Sequence, residues 1–330
     1  MLPALQEFKN LFGRGFLLGV LSPVLIFVGT SLILYYEIAQ GAGTALAKWE
    51  KLSLQNQILS VLVGLTVITV LAYLVYNFQY SITRLFEGYW PRLRILNALR
   101  SLRIKLYRRR WEYLEALVRL GGITATEEAA IRGEQITFYP SRNNLGKLMP
   151  TRLGNILRAS EIYPYDRYGI DSIIIWTRLH LLLTKEVLGP LESNQTTIDF
   201  MLLMSVLSAI FALIWCPLLA FFTNRWVLFV LCSLGWPLAW ICYQNAVQRA
   251  LAYSEQFKVI FDLHRNDLLK ALNLPADEVK ERERWNRISD FFQYGTPIPH
   301  APTELDKPQA WDQVATALAK YINRMNRPRP

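Results

Sequence analysis

The sequence predicts an all-α integral membrane protein with four transmembrane helices in two hairpins and a cytoplasmic helical bundle. Three observations carry this. Hydrophobic residues make up 52% of the 330 positions yet concentrate in a few long runs, while the remainder is strongly charged. Four runs are long enough for a helix to cross hydrocarbon. Lys and Arg gather in the two long segments that lie on one side of those runs.

The first run extends over Phe16 to Tyr36 and the second over Gln57 to Phe78, each about 32 Å as helix. Lys9 and Arg14 before the first run, and Ala45-Leu46-Ala47 after it, resemble the flanks of a signal peptide. The apolar stretch exceeds the roughly 7 to 15 residues of a signal core, which favours a retained span. The third run, Ile198 to Phe222, and the fourth, Trp226 to Ala246, are joined by Thr223-Asn224-Arg225 and form a tight hairpin. The predicted organisation is an N-terminal hairpin (1–79), a cytoplasmic insert (80–197), a second hairpin (198–248) and a cytoplasmic tail (249–330). Basic residues in the insert and tail place both termini in the cytoplasm. Tyr35, Tyr36 and Trp49 fall at one predicted interface and Tyr76, Tyr80 and Trp90 at the other, where amphipathic rings prefer to sit.

The net charge of +10 fits topology and anionic lipid headgroups and requires no nucleic acid. Cys216, Cys232 and Cys242 all fall in predicted spans, without C-x-x-C spacing, and read as small buried hydrophobes.

In the insert, the second helix is expected to continue to about Phe86, before Gly88 and Pro91 interrupt it. In the helix that follows, Ile95, Leu99, Leu102, Leu106, Tyr113 and Leu117 share one face, expected to be bundle core. Arg94, Lys105, Arg108 and Arg109 form a basic face, the candidate contact for anionic lipid or an acidic partner. Gly121-Gly122 ends the helix and Thr126-Glu127-Glu128 starts a short one, with a loop over 136–150. Thr151 starts another helix, expected to end at Pro164, and the apolar stretch 173–183 is too short to span. The fourth span is expected to run on as helix towards Pro275, followed by a charged helix over 276–294. A final amphipathic helix presents Trp311, Val314, Leu318, Tyr321, Ile322 and Met325 as a candidate docking face for another subunit or a cytoplasmic protein.

Little points to catalysis. His180, His264 and His300 lack metal-ligand spacing, and no phosphate-binding glycine loop or nucleophile elbow occurs. No cofactor is expected. The span centres lack charge, which disfavours proton-driven transport, and their polar groups include Ser22, Thr30, Thr66, Thr69, Ser205 and Ser208. Pro23, Pro217 and Pro237 are candidate span kinks.

The stretches Thr83-Arg84-Leu85-Phe86-Glu87-Gly88-Tyr89-Trp90-Pro91, Pro150-Thr151-Arg152-Leu153-Gly154-Asn155 and Phe261-Asp262-Leu263-His264-Arg265 resemble those of bacterial four-helix membrane proteins of unassigned activity. That likeness implies a bacterial inner membrane. Two hairpins with a large helical insert and tail, and Arg84, Glu87 and Trp90 after the second span, are similar in topology to bestrophin channels. The acidic calcium clasp of their animal members has no counterpart in this tail. The likeness implies an oligomeric channel governed by its cytoplasmic helices; a membrane-anchored scaffold for cytoplasmic proteins is the competing expectation, with a membrane enzyme or transporter third.

Overall fold

The computed structural model describes residues 16–39, 41–222, 225–272 and 280–296. Among these, every regular element is helical. A π-helical turn, Leu17–Leu21, leads into α1 (Ser22–Ala39). Then come α2 (Ala42–Glu50), α3 (Leu54–Glu87), α4 (Arg94–Leu120), α5 (Ala125–Phe138) and a 3-10 turn at Arg142–Lys147. α6 (Arg152–Tyr168), α7 (Ser172–Leu182), α8 (Lys185–Phe222), α9 (Trp226–Ser233), α10 (Gly235–Ala271) and α11 (Glu281–Tyr294) complete the order.

Four helical stretches are long and apolar enough to cross a membrane: Leu17–Ala39, α3, α8, and α9 with α10. The protein is therefore a multi-pass membrane protein. α3 and α8 have 34 and 38 residues, about 51 and 57 Å of helix, so both are longer than a perpendicular crossing of roughly 30 Å of hydrocarbon needs.

The described residues fall into two compact units, the first comprising 16–163 and 183–262 and the second 164–182 and 263–296. In the first unit, apolar clusters follow one another along the spans. Leu34, Leu219 and Cys232 lie at one end, and Val20, Val24, Ala72 and Leu203 in the middle. Leu153, Ile156, Ile198, Leu202 and Ala246 lie at the end where α3 finishes, here termed the Glu87 end. Small residues let α8 and the last span approach closely. A Cβ on Gly235 would come within 2.7 Å of the Ser208 carbonyl oxygen, and the Ser205 hydroxyl donates to the Ala239 carbonyl at 2.9 Å.

Several expected boundaries shift. α6 does not end at Pro164 but runs through it to Tyr168. Ile156, Ala159 and Ile162 before it, and Ile170 just beyond the helix, are buried, and that packing outweighs one missing backbone hydrogen bond. α5 is capped by Thr124 rather than Thr126: Glu127 N–H donates to Thr124 Oγ1 at 3.3 Å while Thr124 N–H donates to the Glu127 carboxylate at 2.8 Å. Much of the expected loop at 136–150 is ordered as the end of α5 and the 3-10 turn. The third span's helix begins at Lys185, before the Ile198 expected from hydropathy. The Thr223-Asn224 part of the expected α8–α9 turn, and the final amphipathic helix, lie outside the described residues.

In the second unit, α7 packs against α11, and Ile175, Leu179, Trp285 and Ile288 are fully buried. The Arg178 guanidinium stacks 3.8 Å over the Phe292 ring, and Arg265 pairs with Glu281 at 2.8 Å while covering the Tyr168 ring.

One joint fixes the Glu87 end. Gly88 terminates α3 in a left-handed conformation (φ 105°), its N–H donating to the Arg84 and Leu85 carbonyls. Pro150 packs where a Gly88 side chain would project, and the Glu87 carbonyl oxygen occupies the place a Gly154 side chain would take. The Thr151 hydroxyl bridges the contact, donating to that carbonyl at 2.9 Å and accepting from Gly154 N–H at 3.0 Å. Fully buried Asn155 brackets Met149, accepting from its N–H at 2.7 Å and donating to its carbonyl at 2.9 Å. Gly154→Ala should destabilise the purified protein by about 1–3 kcal/mol through overpacking. Gly133→Ala, in open space inside α5, should raise stability by about 0.5–1 kcal/mol. Denaturation of both variants in detergent checks this, and equal midpoints would contradict the joint.

Candidate functional site

Polar side chains converge at the Glu87 end from α3, α6, α8 and α10. The Thr83 hydroxyl donates to the Asp199 carboxylate at 3.2 Å, and the Gln79 amide donates to the Asp199 carbonyl at 3.0 Å. Gln79 Oε1 is buried without a partner among the described residues. Arg84 lies 3.5 Å over the Tyr89 ring. Arg158 donates to the Tyr89 hydroxyl and pairs with Glu161 at 2.9 Å. Glu161, Asp199 and Glu87 all lie within electrostatic reach of the Tyr253 hydroxyl. Beside them the Tyr163 hydroxyl donates to both Asp262 oxygens at 3.0 Å, and buried Lys258 pairs with Glu255 at 2.8 Å.

Chemically, this is a hydrogen-bonded seam of mixed charge in which carboxylates outnumber cations. Among the described residues no His, Cys, Asp or Glu grouping could hold a metal ion. Sequence reasoning singled out Arg84 and Glu87 but not Gln79, Asp199, Tyr89, Arg158 or Glu161. Asp199 in the first turn of the third apolar run was the one available signal, since a carboxylate at that depth needs a partner.

A second feature lies along α3, whose circumference divides into three sectors at the helical period. Ile68, Ala72, Val75, Gln79, Ile82 and Phe86 face the rest of the first unit. Val67, Val70, Leu71, Leu74, Phe78, Ser81 and Leu85 form an exposed, largely apolar sector. Between them runs a sector of Thr66, Thr69, Tyr73, Asn77, Tyr80 and Arg84 that faces away from the bundle; Tyr73 is 58% and Tyr80 70% exposed. The two threonine hydroxyls donate to their own helix at 2.8 Å, and the Asn77 amide donates to the Tyr73 carbonyl at 2.8 Å.

The candidate kink prolines have three different settings. Pro23 is buried in the first turn of α1, after the π turn. Pro237 lies in the first turn of α10, three residues past the break at Leu234, where a missing N–H is tolerated. Pro217 is exposed within uninterrupted α8. Pro23 and Leu234 both line a lateral, almost wholly apolar cleft of about 340 Å³, with Phe27, Thr30, Ser208 and Phe211 among its walls. A larger recess of about 690 Å³, lined by Ser22, Glu192, Ser193, Thr196 and Thr197, opens beside the π turn.

The basic residues Arg94, Lys105, Arg108 and Arg109 lie on the exposed side of α4. The apolar stripe expected to form bundle core is exposed as well: Ile95 is 83%, Leu102 54% and Leu106 49% exposed. α4 packs instead through Ile104, Tyr107, Trp111 and Leu114, so it has two apolar faces and hydropathy does not say which is covered. The candidate docking residues Trp311, Val314, Leu318, Tyr321, Ile322 and Met325 lie outside the described residues.

No known protein family, curated protein or solved structure matches the chain.

Burial raises the Glu161 carboxyl above its ordinary value, against the pull of Arg158 and Arg84. The folded state then binds more protons than the unfolded state between the ordinary and the raised pKa, so stability increases as pH falls through that window. Glu161→Gln should remove that part of the slope. Thermal unfolding across a pH series checks this, and identical slopes for parent and variant would refute it.

Proposed function

We propose that the protein is an oligomeric, channel-type membrane protein in which the polar sector of α3 faces a path between subunits. The observation that carries this reading is the outward stripe Thr66, Thr69, Tyr73, Asn77 and Tyr80 at membrane depth. A polar group left unpaired in hydrocarbon costs several kcal/mol, so the Asn77 amide oxygen and the tyrosine hydroxyls are better accommodated by water or a neighbouring subunit than by lipid. An adjoining, largely apolar sector on the same helix supplies the surface that lipid requires. Within one chain, the spans enclose an apolar cleft, so a polar path belongs between copies. Arg84 at the foot of the stripe lies beside Glu87 and Glu161, so one mouth of the path carries both signs of charge.

Imaging of the purified particle together with planar-bilayer recording tests the proposal. A ring of three or more subunits with α3 innermost is expected, with ionic current that Asn77→Leu reduces by roughly tenfold, about 1.4 kcal/mol of barrier. A monomer, or a ring with α3 outermost, would overturn the reading.

A further inference from the structure

We propose that α4 is a second membrane-contacting element, which lies along an anionic lipid surface and seats its exposed apolar stripe among the headgroups and upper acyl chains. The proposal rests on α4 alone and is independent of a path between subunits.

Depth is the first argument. Gly88, at the end of the α3 span, packs on Pro150, and Arg103 Nε donates to the Pro150 carbonyl at 3.3 Å. Had the chain continued along the α3 axis, Arg103 would stand about 22 Å beyond Gly88. Both reach one proline instead. Further along, Tyr107, Trp111 and Leu114 share one apolar cluster with Phe138, and Phe138 also packs against the cluster of Ala246 and Leu202, as Phe86 and Tyr243 do. Phe86 itself stacks on Tyr243 at 5.7 Å, near the end of the fourth apolar run, so α4 stays close to the level where that run ends and does not project away from it.

The second argument is chemical. Ile95, Leu99, Leu102, Leu106, Tyr113 and Leu120 are exposed along one side of a 27-residue helix, about 40 Å long. Arg94, Lys105 and Arg109 flank that stripe, and no carboxylate among the described residues pairs with them. Arg110, by contrast, is held by Glu134 at 3.3 Å. An apolar stripe edged by unneutralised cations complements an anionic bilayer surface, with methylenes below and phosphates alongside. Water alone would leave the stripe exposed, and a second copy would bring one basic flank against another.

The test uses the full chain reconstituted in phosphatidylcholine vesicles with and without phosphatidylglycerol, in a background whose three cysteines are replaced. Nitroxides attached through Leu102→Cys and Leu106→Cys report access to oxygen and to a water-soluble nickel relaxant. In anionic vesicles the labels should become oxygen-accessible and nickel-protected. Replacing Arg94, Lys105 and Arg109 by Gln should weaken retention of added phosphatidylglycerol by the detergent-solubilised protein about fivefold per residue. Free inorganic phosphate should not compete. Labels that stay open to nickel in anionic vesicles would overturn the proposal, as would strong label-to-label broadening showing that another copy covers the stripe. Unchanged lipid retention in the triple variant would equally count against it.

Discussion

The contact between the end of α3 and the start of α6 is the constraint on which the rest of the first unit depends. Gly88 and Gly154 are the positions at which two backbones meet without room for a side chain, and Thr151 and Asn155 satisfy the polar groups that this approach buries. A helix leaving a membrane is otherwise free to continue in any direction. Here the left-handed turn at Gly88 stops α3, and Pro150 stops α4 from leaving. The polar seam of Thr83, Asp199, Arg158 and Glu161 forms around this fixed point, because α3, α6, α8 and α10 are brought within hydrogen-bonding distance there. Its side chains are bonded mainly to one another, so the seam secures the joint more than it advertises a reaction.

Class, span number and the approximate placement of apolar runs were legible because hydrocarbon thickness and backbone satisfaction leave few solutions. The joint was only half legible. Its two halves, Glu87-Gly88 and Pro150-Thr151, stand out as segments, but 61 residues separate them and nothing in either indicates the other. Pro164 misled because a proline reads as a stop in an isolated helix, whereas buried neighbours on both sides carry α6 through it. Thr126 and Thr124 are both plausible caps, and the side chain able to exchange bonds with Glu127 settles the matter.

The α4 stripe shows a more general failure of hydropathy. A helical period finds apolar faces, yet the α4 sequence contains two: one through Ile104, Trp111 and Leu114, the other through Ile95, Leu102 and Leu106. The more regular of the two is the one left uncovered. In a soluble protein such a stripe would be an aggregation liability or a subunit interface. At the level of the span ends, lipid is a third possible cover.

α3 presents the complementary problem. In a span, lipid and protein both accept aliphatic side chains, so hydropathy is silent about which face packs inward; only the buried Ala72 and Gln79, and the contacts of Ile68 and Ile82, establish it. Once that face is set, the rest of the circumference becomes informative, since lipid should be indifferent to rotation about the helix axis. It is not treated so: the exposed residues separate into a largely apolar sector and a hydroxyl, amide and aromatic sector. Interfacial anchoring accounts for Tyr80 and Tyr76 near the span end, as tyrosine rings favour that depth. It does not account for Thr66 and Thr69, which lie in line with Tyr80 and two or more turns further towards the bilayer interior. The circumference of α3 thus divides into a face for its own bundle, an apolar face and a polar face, and its own chain covers only the first.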